Sequence, residues 1–406
     1  MSLKILIVLA LALRFALMPF TFHPDLAGQA MSVSFFAQKN IVNIYEHLLS
    51  LPPTHPLVRN FGVSDIFIYP PLTYFTLGFF QKIFLPFGIG QFVSELMSGL
   101  PIYKISNFSL YLLLLKLPYL FFDLGTAYLL YKISKSKTTI VLWLFNPITL
   151  YATYCMGVFD IIPVFFTVLS VYFLKQKKSL YAALALGFGV AYKTYPIFLL
   201  PFIIFSQKKL VDKIKVVFFG LIPFLATNLP YFFSSAYRYM VFSPKSQKML
   251  YMQFPVSGAE GIYPFIFIFV LLVLICIQKN PKYHNLWKYY LSFFLLLFSV
   301  THYHPQWMLW ISPFILIHLI TSKYKYFWHY LVLFGIYLFI VFTFENSLSI
   351  GLFAPLNPAL ANYPGIVKII SSKFDIFTIK SIVRSIFAGI STYLIFRLLK
   401  SSDSND

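Results

Sequence analysis

LKILIVLALALRFALMPF (residues 3–20) runs straight into TFHPDL (residues 21–26), and this junction decides how the chain is read. The first run is apolar apart from Lys4 and Arg14, and as a helix it is long enough to cross the ~30 Å hydrocarbon core of a bilayer. The second brings a histidine, a proline and a carboxylate, Asp25, to the point where the chain meets water. A carboxylate at the mouth of a membrane-embedded chain is expensive to desolvate, so it is kept for chemistry, substrate or ion pairing.

The first run is repeated in kind along the whole chain. The 406 residues are 59% hydrophobic, 20% aromatic and only 11% charged, which excludes an ordinary soluble enzyme. Only helices satisfy their own backbone over such runs in lipid, so the expected class is all-α, a polytopic helical membrane protein with about 12–14 transmembrane helices. The 49 Phe and 29 Tyr suit lipid contact and interfacial belts. The N-terminal run carries Arg14 and ends without a small-residue cleavage site, so it reads as an uncleaved first span. Cys155 and Cys276 lie in apolar segments and read as inert packing residues.

A net charge of +20 could point to nucleic acid, but its distribution points to a membrane. The lysines gather at span ends: Lys132/Lys135/Lys137, Lys175/Lys177/Lys178, Lys208/Lys209/Lys213/Lys215, Lys279/Lys282/Lys288 and Lys323/Lys325, with Arg397/Lys400 after them. Only Asp212 sits among them. This is the positive-inside pattern. With these clusters inside, spans cover residues 3–20, 67–87, 108–133, 139–154, 158–174, 180–193, 195–205, 214–233, 263–277, 289–300, 307–321, 327–344 and 376–399. Three outer loops fall at 21–66, 234–262 and 345–375, within one transmembrane domain (1–400) that ends in a polar tail (401–406) on the cytoplasmic side. Residues 88–103 must cross if parity holds, yet they are weakly apolar and contain Glu95 and Pro101.

The polar features cluster on the outer side. Asp25 opens an amphipathic stretch, residues 26–37, expected to form an interfacial helix that Pro24 would start and Asp25 would cap or favour through the helix dipole. Its other reading is a general base that takes a proton from an acceptor hydroxyl. Asp65 precedes Tyr69-Pro70-Pro71-Leu72, where prolines are tolerated in a first helical turn; it could cap that helix or face the cleft. Asp160, after Gly157, could cap the returning helix. Lys193, before Pro196, could bind a phosphate or snorkel to the interface. His302 and His304 stand at i, i+2, whereas helical zinc ligands prefer i, i+3 or i, i+4, so they are read as hydrogen-bonding groups for sugar or phosphate. Divalent metal has no clear ligand motif. Asp123, mid-span, is expected to bond a neighbouring helix.

In order along residues 3–313, these features resemble the GT-C integral-membrane glycosyltransferases that use polyprenyl-phosphate sugars. The elements are Arg14, Asp25, Tyr69-Pro70-Pro71-Leu72, Asp123-Leu124, Asn146-Pro147, Gly157 with Asp160, Lys193-Thr194-Tyr195-Pro196 and His304-Pro305-Gln306-Trp307. The N-P, G-x-x-D and K-x-Y-P elements look most like the first mannosyltransferase of GPI-anchor assembly. Y-P-P-L-T looks like the dolichyl-phosphate-glucose glucosyltransferases. The chain departs from the D-x-D form of the GPI enzyme, because His23 stands at the first acidic position and leaves the role to Asp25.

The resemblance implies inverting transfer of a hexose, mannose above all, from a polyprenyl-phosphate donor to a lipid-linked or cell-surface glycan at the outer face. It makes Asp25 the base, with Lys193, Arg238, His302, His304, Gln306, Tyr69 and Asp160 around the donor. The rival class is a transporter or flippase of lipid-linked sugars, which would want charges near the middle of several spans. Only Asp123 and Arg14 qualify.

Overall fold

The computed structural model describes residues 2–242 and 252–400. The polar tail at 401–406 and most of the basic stretch 238–248 lie outside the described residues. Among the described residues the chain is helical throughout, apart from one antiparallel hairpin of Phe254–Ser257 with Glu260–Ile262.

Among the described residues two helices are long and apolar enough to cross a membrane, Phe108–Ser134 and Ile376–Lys400. A third candidate is bent: Lys137–Leu144 and Pro147–Met156 meet at 41°. Asn146 makes that corner, its Oδ1 accepting from the Ile148 N–H at 2.9 Å while its Nδ2 donates to Ser312 Oγ at 2.5 Å. Other expected spans are realised as shorter apolar helices, among them Ile161–Lys175, Ser179–Tyr192, Pro264–Lys279 and Phe327–Thr343. Residues 88–103 form only the nine-residue helix Ile89–Met97 and a short turn of 3₁₀-helix, Ile102–Lys104. At about 1.5 Å per residue that helix is roughly 14 Å long, too short to cross.

The main core is built from Tyr119–Ser134, Ile161–Lys175, Ser179–Tyr192 and Leu210–Asn228 on one side and Leu286–Val300, Met308–Thr321 and Ile376–Lys400 on the other. Ser179–Tyr192 and Leu210–Asn228 approach so closely that a Cβ on Gly187 would lie 2.5 Å from the Gly220 carbonyl oxygen. Small residues permit this contact.

A second apolar cluster gathers residues of segment 21–66. The helix expected there is present as Pro24–Lys39. It packs on Pro71–Ile83 and Ile89–Met97, and most of its residues from Leu26 to Ala37 are buried. Its open end is the first turn, where Asp25 sits.

Candidate active site

The elbow between Leu3–Leu17 and Pro24–Lys39 is held from below by one lysine. Lys116, fully buried in Phe108–Lys116, donates through Nζ to Met18 O (3.0 Å), Thr21 O (2.6 Å) and Thr21 Oγ1 (3.0 Å). Thr21 Oγ1 itself donates toward Leu17 O and Tyr154 O. The Phe22 N–H donates to Leu352 O at 2.9 Å, so segment 345–375 is tied to segment 21–66.

The helix cap is His23 and not Asp25. His23 Nδ1 accepts from the Asp25 N–H at 3.2 Å, which leaves the Asp25 carboxylate free of capping duty. Its Oδ2 stands 3.6 Å from His23 Nδ1, and the Asp25 side chain is 37% exposed against 6% for His23. With Nδ1 accepting, the neutral ring carries its proton on Nε2, which is buried without a partner among the described residues. Burial pulls His23 below the usual histidine value, although Asp25 and Glu345 act in the opposite sense.

Asp160 also departs from the capping role expected of it. It makes no side-chain bond to its own helix, Ile161–Lys175. Its Oδ1 instead accepts from Lys193 Nζ at 2.8 Å and Trp310 Nε1 at 2.5 Å, with only 3% of the side chain exposed. Lys193 is therefore neither snorkelling nor an unpaired phosphate ligand. Its ammonium lies 5.0–5.6 Å from the ring centroids of Trp310, Tyr69, Trp307 and Phe159. Such a cation–aromatic enclosure lowers the cost of holding the ion pair out of water.

His304 joins this group from the turn before Met308–Thr321. Its ring centroid is 5.4 Å from each of His302, Trp307 and Phe344. Burial lowers its pKa, and the charges that act on it include Asp25, Lys193, Glu345 and His23. These five residues come from four separate segments and share one electrostatic neighbourhood. Burial, His304 and Arg384 lower His302 as well, so both rings are neutral at ordinary pH. Gln306 is buried, its Oε1 without a partner among the described residues.

Asp25, Tyr69, Asp160, Lys193 and His304 thus converge, with His302 alongside. Arg238 does not join them: it donates to Phe232 O at 2.6 Å from the short helix Ser235–Val241, which packs on Ile44–Leu49. Asp65 does not cap Pro71–Ile83, whose N-cap is Pro70; its carboxylate accepts from Ser64 Oγ at 3.3 Å. Among the described residues no three His, Cys, Asp or Glu side chains are placed to hold a metal ion.

Sequence reading missed Glu345, Arg384 and Trp310. Glu345 is exposed directly after the apolar helix Phe327–Thr343, which is the same signal that marked Asp25. Arg384 lies over the Tyr303 ring at 5.2 Å and makes no ion pair among the described residues. Trp310 sits in an apolar helix and carried no local signal. Beside the site, an apolar pocket of ≈ 270 Å³ opens between Tyr151, Cys155, Tyr337, Val341, Ile350 and Leu352.

No protein-family model matches the chain, and no curated protein sequence matches it. Among solved structures, that of ArnT from Cupriavidus metallidurans bound to undecaprenyl phosphate is similar over 98% of this chain and 77% of that one, at 11% identity and a TM-score of 0.47. A likeness at that level establishes neither a shared fold nor a shared activity.

Proposed function

We propose that the chain is a GT-C-type inverting glycosyltransferase that moves a hexose, mannose in the first instance, from a polyprenyl-phosphate donor to a lipid-linked or cell-surface glycan at the outer face of the membrane. The observation that supports this reading is the meeting of a half-exposed carboxylate, Asp25, with the caged Lys193–Asp160 pair and neutral His304 at one end of the helices.

In this reading Asp25 accepts the proton of an acceptor hydroxyl as that oxygen bonds to the anomeric carbon. The bond from that carbon to the phosphate oxygen breaks, and its electron pair leaves with the lipid phosphate, through an oxocarbenium-like transition state. Phosphate is a good leaving group, so no strong acid is required. Lys193 gives one of its three N–H donors to Asp160 and retains two for the phosphate. Neutral His304 can donate one hydrogen bond, and Arg384, which acts on His302, supplies a cation without an ion pair among the described residues. The apolar pocket behind Leu352 is of a kind that takes isoprenoid carbon.

A transporter of lipid-linked sugars is less well supported. The mid-span charges Arg14 and Asp123 pair with each other at 2.7 Å, and Trp143 Nε1 and Tyr154 OH also donate to Asp123. That cluster is a helix clamp, not a polar path.

The test is transfer by purified protein from synthetic polyprenyl-phosphate mannose, with the glucose donor in parallel. Transfer from mannose that is abolished in Asp25→Asn supports the proposal. Absence of transfer from either donor, in protein that remains folded, contradicts it.

A further inference from the structure

The end of the bundle opposite Asp25 carries a second polar feature that the transfer reaction does not use. An open pocket of ≈ 500 Å³ lies between the C-terminal ends of Tyr119–Ser134 and Ile161–Lys175, lined by Lys132, Lys135, Lys175, Tyr172, Gln176 and His284. Its volume falls in the range of small-molecule sites. Asp160 and Lys175 bracket the fifteen residues of Ile161–Lys175, so the pocket stands roughly 22 Å from the carboxylate site at about 1.5 Å per residue.

Three lysines make the lining cationic. Among the described residues no carboxylate lines the pocket, and the ion pairs Arg14–Asp123, His23–Asp25 and Lys193–Asp160 involve none of its lysines. Lys175 Nζ donates to Ile133 O at 2.8 Å, which holds one ammonium between the two helix ends. Lys135 ends its helix in the left-handed conformation, φ 57°, and is exposed at the rim. Lys132 stands 5.2 Å from the Tyr128 ring centroid. Tyr172 and Gln176 add neutral polar groups of the kind that bond phosphate oxygens. Basic pockets between transmembrane helices bind anionic lipid headgroups, with charge and hydrogen bonds acting on the same oxygens.

We propose that this pocket is a phosphate-binding site, filled by the headgroup of an anionic phospholipid or by free phosphate. It is independent of the proposed transfer reaction.

The full-length protein in detergent is titrated with phosphatidylglycerol, phosphatidylcholine and inorganic phosphate, and binding is read by native mass spectrometry. Phosphatidylglycerol is expected to bind at least ~tenfold more tightly than phosphatidylcholine, and Lys132→Gln/Lys135→Gln to weaken it roughly tenfold. Lys208→Gln/Lys209→Gln removes the same charge from another cluster and is expected to leave binding within about twofold. Gln176→Glu, which adds repulsion without removing a lysine, is expected to weaken binding as the double variant does.

Displacement of phosphatidylglycerol by inorganic phosphate identifies the free anion as the preferred occupant, and resistance identifies the lipid; either supports a phosphate site. Equal weakening by both lysine pairs, or no preference over phosphatidylcholine, overturns the proposal, because attraction to the overall charge would then suffice.

Discussion

Protonating His23 would charge a ring that is 5% exposed and remove the lone pair that accepts the Asp25 N–H. Its folded pKa is lowered, so the unfolded chain binds the proton first as pH falls. The stability it contributes is therefore present above the unfolded value of about 6.5 and is lost as pH drops through that value toward the folded one. Burial lowers His304 and His302 too, and they act in the same sense. Thermal unfolding of the purified protein should move to lower temperature between about pH 7.5 and about pH 5.5. His23→Asn retains a capping side chain and should reduce that dependence. An identical pH profile in the variant would show that His23 does not report on acid.

The Lys193–Asp160 pair makes a different demand at the same scale. Removing one partner strands the other charge with 14% or 3% exposure. Lys193→Met and Asp160→Asn should each cost about 3 kcal/mol or more, and the double variant less than the sum. Additive costs in a denaturation cycle would mean that the two side chains do not depend on each other. Donor use by Lys193→Ala is then readable only per folded molecule.

At the scale of elements, close packing depends on small residues at a few crossings. Gly187→Val would drive a side chain into the Gly220 carbonyl and Pro223, and overpacking of this kind costs about 1–3 kcal/mol. A thermal midpoint unchanged from the parent would show that the two helices can separate freely. Long apolar helices such as Phe108–Ser134 and Ile376–Lys400 were legible in the sequence because length and hydropathy suffice to define them. The exposure of Asp25 was legible because polarity changes abruptly at Thr21. The partners of Asp160 were not, since Trp310 lies 150 residues away in an apolar run and only packing brings its N–H to the carboxylate. His23 as the cap was also hidden, because a histidine cap competes poorly in propensity with an adjacent aspartate.

At the scale of the molecule, polar chemistry gathers at one end of the helices and lysines at the other. If that asymmetry reflects sidedness, Gln38 and Lys323 lie on opposite faces of the membrane; both side chains are exposed. Single cysteines there, in a background lacking Cys155 and Cys276, should react with an impermeant maleimide in intact cells at position 38 only. Labelling of both from the same side would refute the topology. The interior ion pair of Arg14 with Asp123 is closed by Trp143 and Tyr154 and clamps the first helix to the core rather than lining a path.

The central claim is that Asp25 removes the acceptor proton, and His23 makes it cleanly testable. Because the cap is His23, Asp25→Asn disturbs no capping bond, and the fold should persist with an unchanged thermal midpoint. The direct measurement is the rate of sugar transfer from the polyprenyl-phosphate donor by purified Asp25→Asn protein, normalised to folded molecules. A fall of roughly 10²-fold or more is the predicted result, the scale of losing acid–base assistance. A variant that transfers sugar at the parental rate would contradict the account.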